Sequence, residues 1–415
     1  MEKIQIVYND SCRVCKFKDL ELFLSLHDMP MPDGHIKPDQ NFTKEFKHDL
    51  NIYRCPSCGL VQTQVDFIFT DYYSDYNYTV SQSQFVKKFM EELSVFVWDK
   101  YNLKKGCKII EIGSSDGEQL SYFKKLGANV LGFEPSKILS EIAIKRGIPT
   151  ISSFFDENSL NKIPKKMKPT DVFLLSYTFD HLTNPMEFLN NVKKIIGKDK
   201  GIIVIEVHDL NKILQRNEVA LFCHEHPCYY NEKIISNVFN LTGFKLIKSN
   251  MLPEEDCRGN SLIVVGSLKE SNYATSIQNN LSINFTEDEY DMMINFSKKM
   301  KQGHAKLKAH VRKIRNRNKR VVGYGAAGRG VFTLLVAGLT KNDLEYVADK
   351  NPYLHNKLLP GSHIPVVSAE QLLEDTEGLE EIIVFNYGYI KEIRNYYKKF
   401  ISKGGKVTSV LEYIN

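Results

Sequence analysis

Lys108-Ile109-Ile110-Glu111-Ile112-Gly113-Ser114-Ser115-Asp116-Gly117 reads as an apolar strand that breaks on glycine and runs into a helix from Glu118. Glycines at both ends of such a turn permit positive φ and close backbone approach. In an open parallel sheet, the carboxyl end of a strand is where ligands bind. The next strand, Val130-Leu131-Gly132-Phe133-Glu134, ends in an acid 17 residues beyond Gly117, where a carboxylate grips two ribose hydroxyls. The turn is E-x-G-x-x-D-G and lacks the third glycine of a dinucleotide fingerprint. With no pyrophosphate to cradle, it favours S-adenosylmethionine over NAD. Glu111, Gly113, Ser115, Asp116, Gly117 and Glu134 are the expected cofactor residues, and Ser153 and Phe154 are placed to flank the adenine. The bland alternative is a structural strand-turn-helix with an acidic strand end.

Outward from this turn the pattern alternates: KIIEIG, ANVLGFE, DVFLLSY and GIIVIEV are strands separated by helical segments. That order implies a parallel sheet with helices on both faces. A helix over residues 82–101 precedes it, with Phe85, Phe89, Leu93 and Val97 at fourfold spacing. A long lysine-rich helix, from Asn284 to about Arg317, reads as a connector to a second alternating block, KRVVGYG, LEYVADK, LEEIIVFN and KVTSVLE. The expected class is α/β: a small zinc-binding N-terminal domain (residues 1–75) followed by two doubly wound Rossmann-like domains (76–275 and 276–415).

The zinc expectation rests on Cys12-Arg13-Val14-Cys15 and Cys55-Pro56-Ser57-Cys58. Two C-x-x-C knuckles supply the four thiolates of a closed tetrahedral site, which holds structure because no coordination position stays open. The 39 residues between the knuckles must form structure that returns the chain. The charge excess is five over 415 residues, too small and dispersed for nucleic acid. The charged start MEKIQIVYND and the lack of a long apolar run argue against a signal peptide or membrane span. The expected compartment is the cytoplasm, where eight cysteines point to metal and free thiols before disulfides.

Two further stretches carry chemistry. Glu206-Val207-His208-Asp209 is followed by Cys223-His224-Glu225-His226, and histidine is the side chain whose proton affinity suits a base at neutral pH. In an extended segment His224 and His226 share a face while Glu225 points away. A hydrogen-bonded structural cluster is the competing reading. Val321-Val322-Gly323-Tyr324-Gly325-Ala326-Ala327-Gly328 is a formal G-x-G-x-x-G, with Asp349 ending the next strand. Read alone it suggests NAD. A glycine-rich turn at a helix N-terminus equally suits a diphosphate, to which Arg329 adds charge. His363 and Asn386, in loops near the same sheet edge, read as structural.

Taken in order, the knuckles with CGLVQ, then YNYTVSQS, EIGSSDG, DHL, IEVHDLNKILQRNEV…HEH and GYGAAGRG…DKNPY…LPGSHIP resemble one family nearly throughout. That family is the sugar C-methyltransferases that act on nucleotide-linked keto-deoxysugars. The resemblance implies a monomer or loose homodimer binding S-adenosylmethionine, structural zinc and a nucleotide-diphosphate sugar. It places the histidine base on His226 with Glu225 beside it, a further site histidine on His181, and a substrate-side tyrosine on Tyr76 or Tyr78. The C-terminal domain then holds the nucleotide sugar through Gly325, Arg329 and Asp349. The chain departs from the family at two substrate-side positions. Cys223 precedes His224 where the family has tyrosine, and Tyr177 stands where it commonly has asparagine. Two other readings stay open: O-methylation with the same donor site, and a nucleotide-sugar-binding homologue without catalysis.

Overall fold

Three blocks of strands follow one another in the computed structural model, which describes residues 4–40, 42, 45–68, 81, 83–253, 257–275 and 287–415. In the first, Glu21–Met29 (β2), His48–Arg54 (β3) and Val61–Thr63 (β4) pair antiparallel. Gln5–Tyr8 (β1) and Val65–Ile68 (β5) form a separate ribbon. Pairing of β2 with β3 returns the chain across the gap between the knuckles. Along β2, Leu24, Leu26 and Met29 turn inward.

The middle block is a seven-stranded sheet: Lys108–Ile112 (β6), Asn129–Phe133 (β7), Thr150–Ile151 (β8), Val172–Ser176 (β9), Ile202–His208 (β10), Phe244–Ser249 (β12) and Ser261–Leu268 (β13), in the order β12-β13-β10-β9-β6-β7-β8. Its central strands are almost wholly apolar because helices cover both faces. The expected parallel sheet needs one correction: β13 runs antiparallel to both β10 and β12. Residues 250–260, between β12 and β13, carry no described helix, and only a helical crossover would bring the strand back parallel. The order reverses at β6, which lies between β7 and β9, so a crevice opens where the glycine turn leaves the sheet. Cys228–Tyr229 (β11) leaves this domain and pairs with β4, extending the N-terminal sheet to β11-β4-β3-β2.

The last block is fully parallel: Arg320–Tyr324 (β14), Val347–Asp349 (β15), Val366–Ser368 (β16), Leu379–Val384 (β17) and Lys406–Ser409 (β18), in the order β16-β15-β14-β17-β18. The lysine-rich helix, Glu287–Arg315, is more than a connector. Met293, Phe296, Met300, His304, Leu307, Val311 and Ile314 form a buried stripe at three- and four-residue steps. Phe296 packs on Phe23 of the N-terminal block and on Phe222 of the middle block. No helix among the described residues is long and apolar enough to cross a membrane.

The four knuckle sulfurs converge, with Cys12 Sγ 3.5 Å from Cys58 Sγ and Cys15 Sγ 3.5 Å from Cys55 Sγ. A tetrahedral zinc with bonds of ~2.3 Å spaces its thiolates by ~3.8 Å, so the donor set fits the ion. Hydrogen bonding to neighbouring thiols and burial push Cys12 and Cys58 above the ordinary thiol range, and a divalent cation reverses that by binding the thiolates. Arg13, inside the first knuckle, is 4 % exposed and pairs with Asp66 at 2.5 Å while donating to the Thr183 carbonyl at 3.1 Å. Stripping zinc with a strong chelator should therefore release about one ion per chain, measured by metal analysis. Through β4 and Arg13 it should also abolish methyl transfer while leaving the middle sheet folded by circular dichroism. Unchanged activity in metal-free protein counts against this coupling.

Candidate active site

The cofactor turn is shaped by what presses on it. Gly113 has φ +70°, and a Cβ there would lie 2.4 Å from Thr178 Oγ1, so the crossing of the turn by the β9 loop requires glycine. Glu134, 6 % exposed, accepts from Ser115 N at 2.8 Å and from Ser136 N at 2.7 Å. It thereby ties the end of β7 to the turn. Asp116 accepts from Glu118 N at 3.3 Å and meets Arg146 at 3.4 Å, which makes it the brace of the helix start. Glu111 is buried, and its Oε2 has no hydrogen-bond partner among the described residues. Burial pushes its carboxyl well above the usual range, and the nearby carboxylates Asp116, Glu134 and Glu206 add to the rise. Buried acids converging on one turn suit a cationic ligand, and the sulfonium and ammonium of S-adenosylmethionine are such cations. Ser153 bonds its own loop through the Phe154 carbonyl. Phe154 is 59 % exposed, whereas its neighbour Phe155 packs on Phe133, Phe173 and Phe188.

Beyond the turn, the ends of β9 and β10 bring histidines together. His226 lies with its ring 4.7 Å from His181 and 5.2 Å from His208, centroid to centroid. His226 Nδ1 donates to the Leu221 carbonyl at 2.9 Å. His208 Nδ1 bonds Asp180 Oδ2 at 2.8 Å. Burial pushes His181 down to about 3 and His208 down to about 4. Asp180 is held below the usual carboxylate range by its hydrogen bond to His208, against a burial cost in the opposite direction. Asp180 and His208 were not among the expected site residues, although both lie in the quoted stretches.

The H-E-H segment is not extended. It forms a turn in which His226 N donates to the Cys223 carbonyl at 3.2 Å. His224 and His226 consequently diverge. His224 Nε2 donates to the Met29 carbonyl at 3.0 Å, and its ring sits edge-on to Phe46 and Phe67. It faces the zinc domain. Glu225 is half-buried in the turn, and Cys223 is buried with its amide bonded to Tyr229 Oη at 3.2 Å. Tyr177 holds φ +49° and directs its hydroxyl to the Arg258 carbonyl and Ser261 Oγ, at 2.7 and 2.6 Å. Its ring stacks on His208 at 4.3 Å, so it braces a histidine. Arg258, paired with buried Glu206, lies over the rings of Tyr177 and Phe89. No sequence signal marked Arg258, a lone arginine in a loop. Tyr76 and Tyr78 lie outside the described residues.

In the C-terminal block, a Cβ on Gly325 would lie 2.8 Å from Asn386 Oδ1. Asp349 accepts from Ala326 N at 2.7 Å and Asn351 N at 2.8 Å, the same tie that Glu134 makes in the middle domain. His35 of the zinc domain donates to the Ala326 carbonyl at 2.8 Å. His363 bonds Glu45 at 3.1 Å and stacks on Phe42, so it too joins the first and last blocks. The helix Gly328–Ala337 begins with no side-chain cap. Beside it the Arg329 guanidinium lies over Tyr387 at 4.9 Å, with no hydrogen bond among the described residues. Arg329 faces Glu218, which burial pushes up to about 7, and its charge reaches Tyr177 and His208.

Comparison with known proteins meets this geometry from the other side. Residues 12–67 match the family described as "Putative zinc binding domain", 82–249 match "Methyltransferase domain", and 257–411 match "C-methyltransferase C-terminal domain". C-methyltransferase NovU of Streptomyces niveus is 24 % identical over 403 residues, spanning 96 % of this chain and 94 % of that protein. An uncharacterized methyltransferase of Bacillus pumilus is 25 % identical over 116 residues, 28 % of this chain and 53 % of that one. Among solved structures, the plantazolicin methyltransferase BamL superposes with a TM-score of 0.37 at 15 % identity, over 46 % of this chain and 87 % of its own. The methyl-donor turn and the family matches define an S-adenosylmethionine-dependent methyltransferase with a zinc-binding N-terminal domain. More narrowly, the order of the three matches and the likeness to C-methyltransferase NovU over nearly the whole chain support a C-methyltransferase.

Burial raises the Glu111 carboxyl and a cation beside it favours the carboxylate, so S-adenosylmethionine binding should be coupled to proton release and tighten as pH rises through the Glu111 midpoint. Calorimetry in buffers of different ionisation enthalpy checks this, and buffer-independent heats contradict it. Glu134→Ala should weaken the donor about 10–100-fold, the cost of one charged hydrogen-bonding group.

Proposed function

We propose that this enzyme C-methylates a nucleotide-diphosphate-linked keto-deoxysugar, with His226 removing the proton from the carbon next to the ketone. The observation that carries the reading is the meeting of His181, His208, His226 and Asp180 against the donor turn, where Thr178 touches Gly113 and Asp180 follows two residues later. A sugar carbon is acidic only beside a carbonyl, so carbon methylation needs a base and a group that steadies the enolate oxygen. His226 donates Nδ1–H to a carbonyl, which leaves Nε2 with its lone pair as the proton acceptor. His181, held neutral by burial, offers an N–H to the enolate oxygen without charge, as neutral imidazoles do at other enolising sites. Tyr76 or Tyr78 is a further candidate for that oxygen. S-adenosylmethionine, when bound, supplies an electrophilic methyl group. Glu111, Ser115 and Glu134 hold it, with Ser153 and Phe154 at the adenine edge.

Two features support a nucleotide diphosphate as the anchor of the sugar. The uncapped helix start at Gly328 offers backbone amides, and Arg329 adds a guanidinium that makes no hydrogen bond among the described residues. Tyr177 braces the histidine side of the site by stacking on His208, whereas His224 and Cys223 pack away from it. Eight cysteines with no disulfide among them, four of them gathered as a metal site, support a cytoplasmic protein, read as a monomer or loose homodimer.

The test is His226→Asn with a panel of dTDP- and CDP-linked keto-deoxyhexoses. Methyl transfer should fall by about 10²–10⁴-fold with donor affinity unchanged by calorimetry. Product NMR should place the new methyl on carbon. A methyl on oxygen, or full activity in the variant, refutes the assignment.

A further inference from the structure

We propose that Asp180 is the counter-ion of the active-site histidines, and that its pairing with His208 positions the charge on which proton removal depends. This rests on the reading above that the reaction begins with loss of a substrate proton.

Asp180 sits in the single turn Phe179–His181 after β9 and is 3 % exposed. One oxygen holds His208 Nδ1 at 2.8 Å, while Oδ1 is buried with no hydrogen-bond partner among the described residues. Every element packed around it presents titratable groups. His181 comes from its own turn, His208 from β10, and His226 from the loop before β11. Cys223, Cys228, Tyr229 and Tyr230 also feel its charge, but burial pushes these thiols and phenols up and keeps them neutral. Arg329 is the cation that faces His208. The imidazoles therefore share one carboxylate.

That arrangement answers a physical difficulty. Burial alone makes an imidazole a poor base, because the imidazolium it must become is left in a low-dielectric site without compensation. His181 and His208 show the effect, pushed down to about 3 and about 4. A carboxylate bonded to one ring and close to the others lowers the cost of the arriving proton for all of them, as a buried aspartate does for a catalytic histidine in hydrolytic triads. The tautomers agree: Nδ1–H of His208 goes to Asp180 and Nδ1–H of His226 goes to Leu221, so both rings keep Nε2 as acceptor. Tyr177, stacked on His208 with its hydroxyl tied to Ser261 and Arg258, fixes the ring plane. A core histidine that merely needed a partner would not require a second, unsatisfied carboxylate oxygen in the same pocket. Asp180, His208 and His226 also offer atoms close enough to consider a metal. The hydrogen bond between Asp180 and His208 is what such an ion would have to break.

Asp180→Asn keeps shape and removes charge. In the full-length protein, zinc content and donor affinity should stay within about threefold of wild type, which establishes that the variant is folded. The kcat for methyl transfer should fall about 10²–10⁴-fold. The acid limb of the pH profile should move to lower pH by about one unit or more, because a buried negative charge beside the histidines is removed. Histidine NMR should show His208 titrating lower in the variant, a readout that needs no substrate, and Asp180→Glu should restore part of the rate. Wild-type kcat with an unmoved limb and unmoved His208 titration overturns the proposal. So does a second metal ion per chain that Asp180→Asn removes. If the wild-type product carries its methyl on oxygen, the carbon-transfer reading fails separately, and the variant's pH profile and titration still decide the role of Asp180.

Discussion

The pairing of Val61 and Gln62 with Cys228 and Tyr229 is the contact on which the rest of the molecule depends. It places a strand that begins two residues after His226 on the strand that leaves the second cysteine knuckle. The zinc-side sheet thus reaches the loop that carries His226 through backbone hydrogen bonds. Arg13 adds a second tie from inside the first knuckle to Thr183, two residues after His181. Asn237 adds a third by donating to the Cys58 carbonyl at 3.1 Å. A structural ion with no open coordination position can in this way govern catalytic geometry without touching the reaction.

The other organising constraint is the cost of burying charge. Glu111, Glu134 and Glu206 crowd the donor side with buried carboxyl groups, and Arg258 answers Glu206 directly. Asp180 is the carboxylate of the histidine side. Arg329 stands at the junction with the C-terminal domain, facing Glu218 and Tyr387. Each buried charge thus lies either against a protein partner or at a place where a charged ligand completes the pair. Under the proposed function, donor, base and substrate anion would divide along that electrostatic map: acids for the sulfonium, a shared carboxylate for the arriving proton, and an arginine for the diphosphate.

The long helix and the glycine turns show two kinds of tertiary cohesion. The helix Glu287–Arg315 buries an apolar stripe that reaches all three blocks, with Phe296 lodged between Phe23 and Phe222. The C-terminal glycine turn is approached by Pro32 and His35 of the zinc domain, so its glycines serve packing as well as any ligand. Its likeness to a dinucleotide fingerprint is therefore a weak guide to NAD.

What the sequence determined by itself are the features that local chemistry encodes. Two C-x-x-C knuckles specify a tetrahedral thiolate site. A strand broken by Gly113 and Gly117 and answered by Glu134 specifies a donor turn. Alternating apolar strands and helices specify two sheets. These were legible because spacing along the chain equals spacing in the structure for knuckles, turns and period-2 strands. Only the tertiary structure decided that β13 is reversed, that His224 turns to the zinc domain while His226 turns to His181, and that Tyr177 braces His208. It also brought Asp180 and Arg258 into the site. Asp180 and His208 are 28 residues apart and meet because β9 and β10 are neighbours in the sheet. Pairings at that distance are set by strand order and burial, which no local pattern records.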